Sequence, residues 1–405
     1  MIRSLAHSIG ASRPVLALSV ARMGDAIGNG ILFIALPIYV ARLPAHWFGI
    51  PEPVRVGLLI SLYGLVSTVF QPVMGALSDR IGRRKVLIQV GLLLMAAATL
   101  GFIPARHFSD LFLLRSLQGL AVGITIPAAM ALMAMITVKE TRGGSMGVYS
   151  TMRMIGFAIG PLIGGIVYEH FGFSTAFSVG AGFILLGVLL VQVWVHDVQV
   201  AAPAQAGGRF RIFDRELLSG GILGAGFITF VMASDFSMLA ALENEFNARL
   251  QQTAIGFSIA FSALMVSRLL FQIPLGRVSD HIGRRPVIIA GLLLMAPATA
   301  LLGLAASTAQ LTGLRLVQGL ASAGIAAPAF ALAADLSRAG GEGRQMSVLT
   351  MGFGFGLAVG PLAAGVFAVL FFELPFLVAG LLTLIAAWIV YRFVPETVCR
   401  TPLAD

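Results

Sequence analysis

Cysteine is nearly missing from this 405-residue chain: Cys399, in the tail, is the only one. That excludes an intramolecular disulfide and any thiolate metal cluster. Charge is scarce as well, at 11% of residues against roughly 25% in a soluble globular domain. No GxxxxGK[ST] stretch occurs, so the chain has no phosphate-cradling loop of that kind, and uphill work must draw on an ion gradient or a partner. The six histidines (His7, His46, His107, His170, His196, His281) read as tail or loop residues, none at zinc-site spacing. With no nucleophile elbow and no acidic metal cluster, the sequence reads as a non-enzyme without cofactor or metal. A net charge of +9 invites a nucleic-acid reading, but the basic residues are dispersed and form no stripe with interleaved aromatics, so no nucleic-acid partner is expected.

What is abundant is apolar surface. Hydrophobic residues make up 58% of the chain and the mean hydropathy is +0.93, the composition of a polytopic membrane protein. A bilayer core of about 30 Å needs about 20 apolar residues per helix. Twelve such runs fall near 15–41, 54–77, 86–104, 110–136, 145–168, 174–195, 217–241, 253–276, 287–306, 311–335, 346–370 and 374–395. The first is too long and too charged, with Arg22 and Asp25, for a cleaved signal, and is expected to be an uncleaved span. The only plausible linker is 196–216, Ala/Gly/Pro-rich and then basic. The expected organisation is therefore an amino-terminal bundle of six helices over 1–195, a linker over 196–216, and a carboxy-terminal bundle of six over 217–405.

The halves repeat. Gly75-Ala-Leu-Ser-Asp79-Arg80-Ile-Gly82-Arg83-Arg84-Lys85 returns about 200 residues later as Gly276-Arg-Val-Ser-Asp280-His-Ile-Gly283-Arg284-Arg285. GLLLMA stands at 91–96 and 291–296, LRSLQGLA at 114–121 matches LRLVQGLA at 314–321, and GPLIGG at 160–165 matches GPLAAG at 360–365. Polar punctuation kept in order marks two homologous halves. Orientation follows from the basic residues. With both termini inside, 18 of the 27 Lys and Arg fall in inner segments, four in outer loops (Arg42, Arg55, Arg106, Arg249) and five within spans. This bias places both termini and the linker in the cytoplasm of a multi-pass inner-membrane protein.

These motifs resemble the major facilitator superfamily of transporters over roughly 15–395. The Asp79 loop is similar to that superfamily's signature between spans two and three, and the Asp280 loop to its degenerate copy. Arg115-Ser-Leu-Gln118-Gly119 resembles a second motif. Gly156-x-x-x-Gly160-Pro161-x-x-Gly164-Gly165 resembles the motif of its proton-driven exporters, notably the twelve-span drug:proton antiporters. Asp25-Ala-Ile-Gly28-Asn-Gly30, running to Pro37, is similar to the first span of tetracycline antiporters. The resemblance implies an all-α fold of two six-helix bundles and alternating access, working as a monomer in the lipid bilayer with a small-molecule cargo and protons. It also implies that Asp79 and Asp280 face the amino ends of the eleventh and fifth spans as gates, with Gly75, Arg80, Gly82, Arg83, Arg84, Gly276, Gly283, Arg284 and Arg285 shaping and anchoring the loops. The glycine motif has a plainer reading as close helix packing, which the copy around Gly360 strengthens.

Charges inside spans cost roughly 2.5–3.5 kcal/mol each and should face an interior. They are Arg22, Asp25, Arg115, Arg153, Asp235, Arg268 and Arg315. Asp25 is expected to carry protons or to recognise a cation, against the plainer reading of a local pair with Arg22 three residues earlier. Arg115 is expected to donate to carbonyls near Ile31–Phe33, and Asp235 to pair with Arg315. For Arg153 and Arg268 the sequence offers no obvious acid at matching depth, and backbone carbonyls or an anionic group are the expected partners. Glu243 and Glu245 read as solvated at the outer mouth. Phe230, Met232 and Phe236, beside Asp235, suit a loosely specific apolar cavity or ordinary core. The expected function is proton-coupled efflux of lipophilic or amphipathic molecules. An exporter of organic anions such as siderophores or acidic lipids, an importer of the same fold, and a receptor or scaffold are the alternatives.

Overall fold

A computed structural model describes residues 12–43, 49–138, 141–196, 219–337 and 342–398, without the side chains of Asp79 and 342–345. The linker expected at 196–216 (His196 apart), Cys399 and both chain ends lie outside these residues. The described residues form helices and no strand: α1 Arg13–Arg42, α2 Glu52–Ile81, α3 Arg84–Gly101, α4 Phe108–Ile136, α5 Arg142–Trp194, α6 Gly220–Ser237, α7 Glu243–Leu250, α8 Ala254–Ile282, α9 Arg284–Ala300, α10 Thr308–Asp335, α11 Glu342–Ala368 and α12 Leu374–Phe393. Backbone N–H and C=O groups in hydrocarbon must pair within their own segment, and long helices accomplish that. Eleven helical stretches among the described residues are long and apolar enough to cross a membrane.

Two expected spans, 145–168 and 174–195, are joined in α5, whose 53 residues leave helical geometry only at Gly172 (φ 79°, ψ −178°). The positive φ is one that glycine adopts without penalty, so a single residue makes the turn. The seventh expected span resolves into α6, a 3₁₀ stretch Met238–Leu242, and the short α7.

The chain falls into two compact units. One gathers the described residues of 1–50, 62–206 and 253–262, the other those of 51–61, 207–252 and 263–405. α1 and α6, repeat partners, are the most enclosed, with 83% and 78% of their apolar windows buried against 39% for α3, α5, α11 and α12. In the first unit, glycines of α5 set its distance from α1. A Cβ added at Gly156, Gly160 or Gly164 would stand 2.6, 2.7 or 2.8 Å from Met23 O, Ile27 O or Ile31 Cα. In the second unit Gly352, Gly356 and Gly360 press the same way on Gly226, Phe230 and Ser234 of α6. The GxxxGPxxGG stretch therefore packs helices as its plainer reading expects, while Gly165 meets Ser258 of α8 instead. Also within the second unit, Ser61 Oγ accepts from Leu362 N at 3.0 Å, just after Pro361.

Three further expectations are corrected. Glu243, expected in solvent, is fully buried at the start of α7. Arg55, read as an outer-loop residue, sits in the first turns of α2 and is buried at 6% exposure. His170 and His281, read as loop residues, lie in α5 and the last turn of α8. For the two histidines the helix extends past the apolar run that located it, while Arg55 falls just inside its run and Glu243 opens a separate short helix beyond its own.

Candidate functional site

In the first unit the site grows from α1. Arg22 and Asp25, three residues apart and so on one helix face, form an ion pair. Asn29, one turn on, donates through Nδ2 to Asp25 Oδ1 at 3.2 Å. Asp25 is buried at 3% exposure. Around the pair stand Tyr149 and Arg153 from α5 and Tyr63 from α2, all within electrostatic reach. Arg115 of α4 does not donate to the α1 carbonyls as expected. Its Nη1 donates to Gln118 Oε1 at 3.1 Å, one turn along its own helix, and its guanidinium lies 5.4 Å over the Tyr63 ring. Gln118 Nε2 in turn donates to Thr99 Oγ1 of α3 at 2.9 Å.

The second unit repeats this frame and adds an acid. Arg315 Nη1 donates to Gln318 Oε1 at 3.0 Å, and Gln318 Nε2 to Thr299 Oγ1 at 2.8 Å. Thr299 and Thr383 hydroxyls then donate to Asp235 Oδ2 at 3.3 and 3.0 Å. Asp235 and Arg315 thus lie within electrostatic reach of each other and are joined through Gln318 and Thr299, with threonines from α9 and α12 donating to the carboxylate. Arg315 also lies 5.9 Å from the Phe236 ring. Met232 and Phe236 are buried and Phe230 partly so; Met232 belongs to the core with Ile228 and Val231. Arg268 Nε donates to Gln272 Oε1 at 3.3 Å.

Against this frame of duplicated, buried polar residues in two six-span repeats, the family description "Major Facilitator Superfamily" matches residues 18–242 and 222–402. The chain belongs to the major facilitator superfamily. It is a multi-pass membrane transporter. Among curated relatives, the multi-drug resistance efflux pump PmrA of Streptococcus pneumoniae is 27% identical over 322 residues, covering 77% of this chain and 79% of PmrA. The quinolone resistance protein NorA of Staphylococcus aureus is 29% identical over 171 residues, 42% of each chain. Among solved structures, a bacterial homologue of the human lysosomal transporter Spinster, inward-facing and occupied, aligns with a TM-score of 0.77 at 15% identity, covering 93% of this chain and 95% of its own. The human organic anion transporter MFSD10 aligns at 0.70 and 19% identity, covering 93% and 99%. These structural likenesses show the fold.

The superfamily's signature loops differ in their anchoring. Gly82 and Gly283 both hold positive φ, 67° and 114°. At the second loop Arg284 is the hub. It pairs with Asp280, reaches Asp335 Oδ2 at 3.4 Å, and its Nη1 donates to Ser279 Oγ at 3.1 Å. Glu396, beyond α12, accepts the backbone N–H of Arg284 at 2.9 Å and of Arg285 at 3.0 Å, capping α9. Arg285 binds the Tyr391 carbonyl. At the first loop Lys85 Nζ donates to Gln192 O at 3.0 Å, and Arg84 contacts the Met135 sulfur. Arg80 is exposed, and Gly75 and Gly276 lie in the last turns of α2 and α8.

Sequence reasoning missed Gln118, Gln318, Thr99 and Thr299 as partners of the two arginines. The signal was present, since each pair keeps the 200-residue offset of the repeat. Glu396 had no such signal, because its counterpart is His196.

Proposed function

We propose that this transporter exports lipophilic or amphipathic small molecules in exchange for protons. The observation that carries the reading is the 27% likeness to the efflux pump PmrA across about three quarters of both chains. Asp25 supports the proton part. It is a buried carboxylate on the most enclosed helix, paired with an arginine and within electrostatic reach of two tyrosines, so gain or loss of its proton would change its interactions. The Asp79 and Asp280 loops serve as gates at the cytoplasmic side, the termini and the linker face the cytoplasm, and the monomer in the inner membrane is the working unit.

The test is transport by purified protein in liposomes under an imposed pH gradient. Asp25→Asn should abolish uphill accumulation of a lipophilic cationic dye while leaving dye binding in place. Uphill transport by that variant would move the proton role to Asp235.

A second reading, export of amphipathic anions, rests on the charges that the sequence places inside the apolar spans: Arg22, Arg115, Arg153, Arg268 and Arg315 against Asp25 and Asp235. Charge-assisted contacts are roughly twice as strong as neutral ones. Under this reading Arg153→Gln selectively raises the anion concentration needed for transport, with yield and thermal stability unchanged. Under the first reading the same change lowers stability and leaves the cargo range alone.

A further inference from the structure

A cavity of about 10 Å³ lies in the first unit directly beside the Arg22–Asp25 pair, lined by Leu18, Ala21, Ile88, Leu92, Thr125, Ala129 and Tyr149 together with the pair itself. That is room for one water molecule. Two buried polar atoms of residues on its wall have no hydrogen-bond partner among the described residues, Arg22 Nε and the Tyr149 hydroxyl. Tyr149 is 6% exposed. Thr125 Oγ1 also lines the space and spends its hydrogen on Ala121 O at 2.8 Å, which leaves its lone pairs to accept. A dry apolar void of this size would need nothing further, but one with unsatisfied polar atoms meets a water's need for two to four partners.

The geometry points to a built water site that connects Asp25 to Tyr149 and carries the proton Asp25 gives up. This inference rests on the proton-coupled reading above and names its route. While Asp25 is protonated, the water accepts from Arg22 Nε–H and from the Asp25 O–H and donates to the Tyr149 oxygen and to Thr125 Oγ1. On release, the Asp25 O–H bond breaks as a bond to the water oxygen forms. One of the water's own protons passes to the Tyr149 oxygen, and the tyrosine gives its hydroxyl proton to solvent water admitted when the cytoplasmic side opens, so each oxygen ends with the protons it began with, apart from Asp25, which is left ionised, and the solvent, which gains the proton. The cavity wall comes from residues that precede Asp25 on α1, the first turns of α3 and α5, and the last turns of α4. The route therefore leads from Asp25 toward the end of the unit that carries the Asp79 loop, the cytoplasmic end in the proposed topology. Arg22, Arg153, Tyr63 and Tyr149 are the titratable or charged groups facing Asp25 from α1, α5 and α2. Of these Tyr149 alone both lines the cavity and can pass a proton on while staying neutral overall.

The experiment measures cargo-coupled proton flux with a pH dye entrapped in liposomes holding full-length protein, using a lipophilic cationic dye as cargo. It compares wild type, Asp25→Asn, Tyr149→Phe and Ala129→Val. The phenylalanine removes the hydroxyl and the valine fills the cavity, so the two variants break the route in unrelated ways. Each should slow proton flux roughly fivefold to tenfold, the loss of one hydrogen-bonded link, with dye binding in detergent unchanged. Thermal denaturation identifies a variant that has merely lost its fold, and the other variant then decides. Wild-type flux in the folded variants, with flux abolished in Asp25→Asn, overturns the water route. Wild-type flux in Asp25→Asn overturns the coupling reading itself, and this route with it.

Discussion

Glu396 shows how much one residue beyond the last span can hold. Partial burial pushes its carboxyl upward, but four backbone N–H donors, from Val398, Arg284, Thr397 and Arg285, outweigh that and keep it below its ordinary 4.5. A carboxyl depressed in the folded state contributes stability that is present above the unfolded value and lost as pH falls through the folded one. The protein should therefore lose thermal stability below about pH 4.5 in a way that Glu396→Gln abolishes, with the variant already less stable at pH 7; melting curves across pH check both. Gly283 adjoins the same carboxylate. Its φ of 114° disfavours any side chain, and an added Cβ would lie 2.6 Å from Glu396 Oε2. Gly283→Ala should cost about 1–3 kcal/mol of stability, more than a surface change, by the same melting assay. At this scale the sequence disclosed the local pair Arg22–Asp25, because three residues on a helix put two side chains on one face. It concealed which hydroxyls reach Asp235, because α9 and α12 supply them from 64 and 148 residues away.

Between elements, the glycines of α5 are spacing devices. Gly160→Ala places a methyl 2.7 Å from Ile27 O, backbone against backbone, so α1 and α5 must part. The expected loss is roughly 1–3 kcal/mol, the usual cost of overpacking. Gly182→Ala on the same helix meets nothing within 4 Å and should be neutral or slightly stabilising. Thermal shift of the two purified variants separates a packing role from a loss of helix propensity. The spans themselves were legible as apolar runs about 20 residues long. Their ends were not, because helix continues through His170 and His281 past the apolar runs, and burial takes in Arg55 and Glu243, which composition assigns to water.

For the whole molecule, the repeat offset told of two related bundles, and the family match bears out that kind of fold. The membership of the compact units was illegible, since residues 51–61 and 253–262 each pack with the unit to which the rest of their helix does not belong. Contacts such as Ser61 with Leu362 join positions 301 apart in the chain, and no local pattern encodes them. Topology is the prediction that belongs here. Reporter fusions after Gly207 and after Asp405 should both report the cytoplasm, given the 18-to-4 split of basic residues. A periplasmic signal at either would reverse the orientation.

The glycine turn in α5 bears on how the chain enters the bilayer. No lysine or arginine lies between Arg153 and Arg209, so the tip of this hairpin carries no basic residue to be held back during synthesis. With one glycine as its whole turn, the arms are joined through a few polar helical residues, Glu169, His170, Ser174 and Thr175, without a longer loop at which insertion could pause. The two arms should then partition into lipid as a single hairpin, with Arg142 at its entry retaining the cytoplasmic end in the proposed topology. Biogenesis of this stretch is accordingly a concerted event whose direction is written only at its beginning.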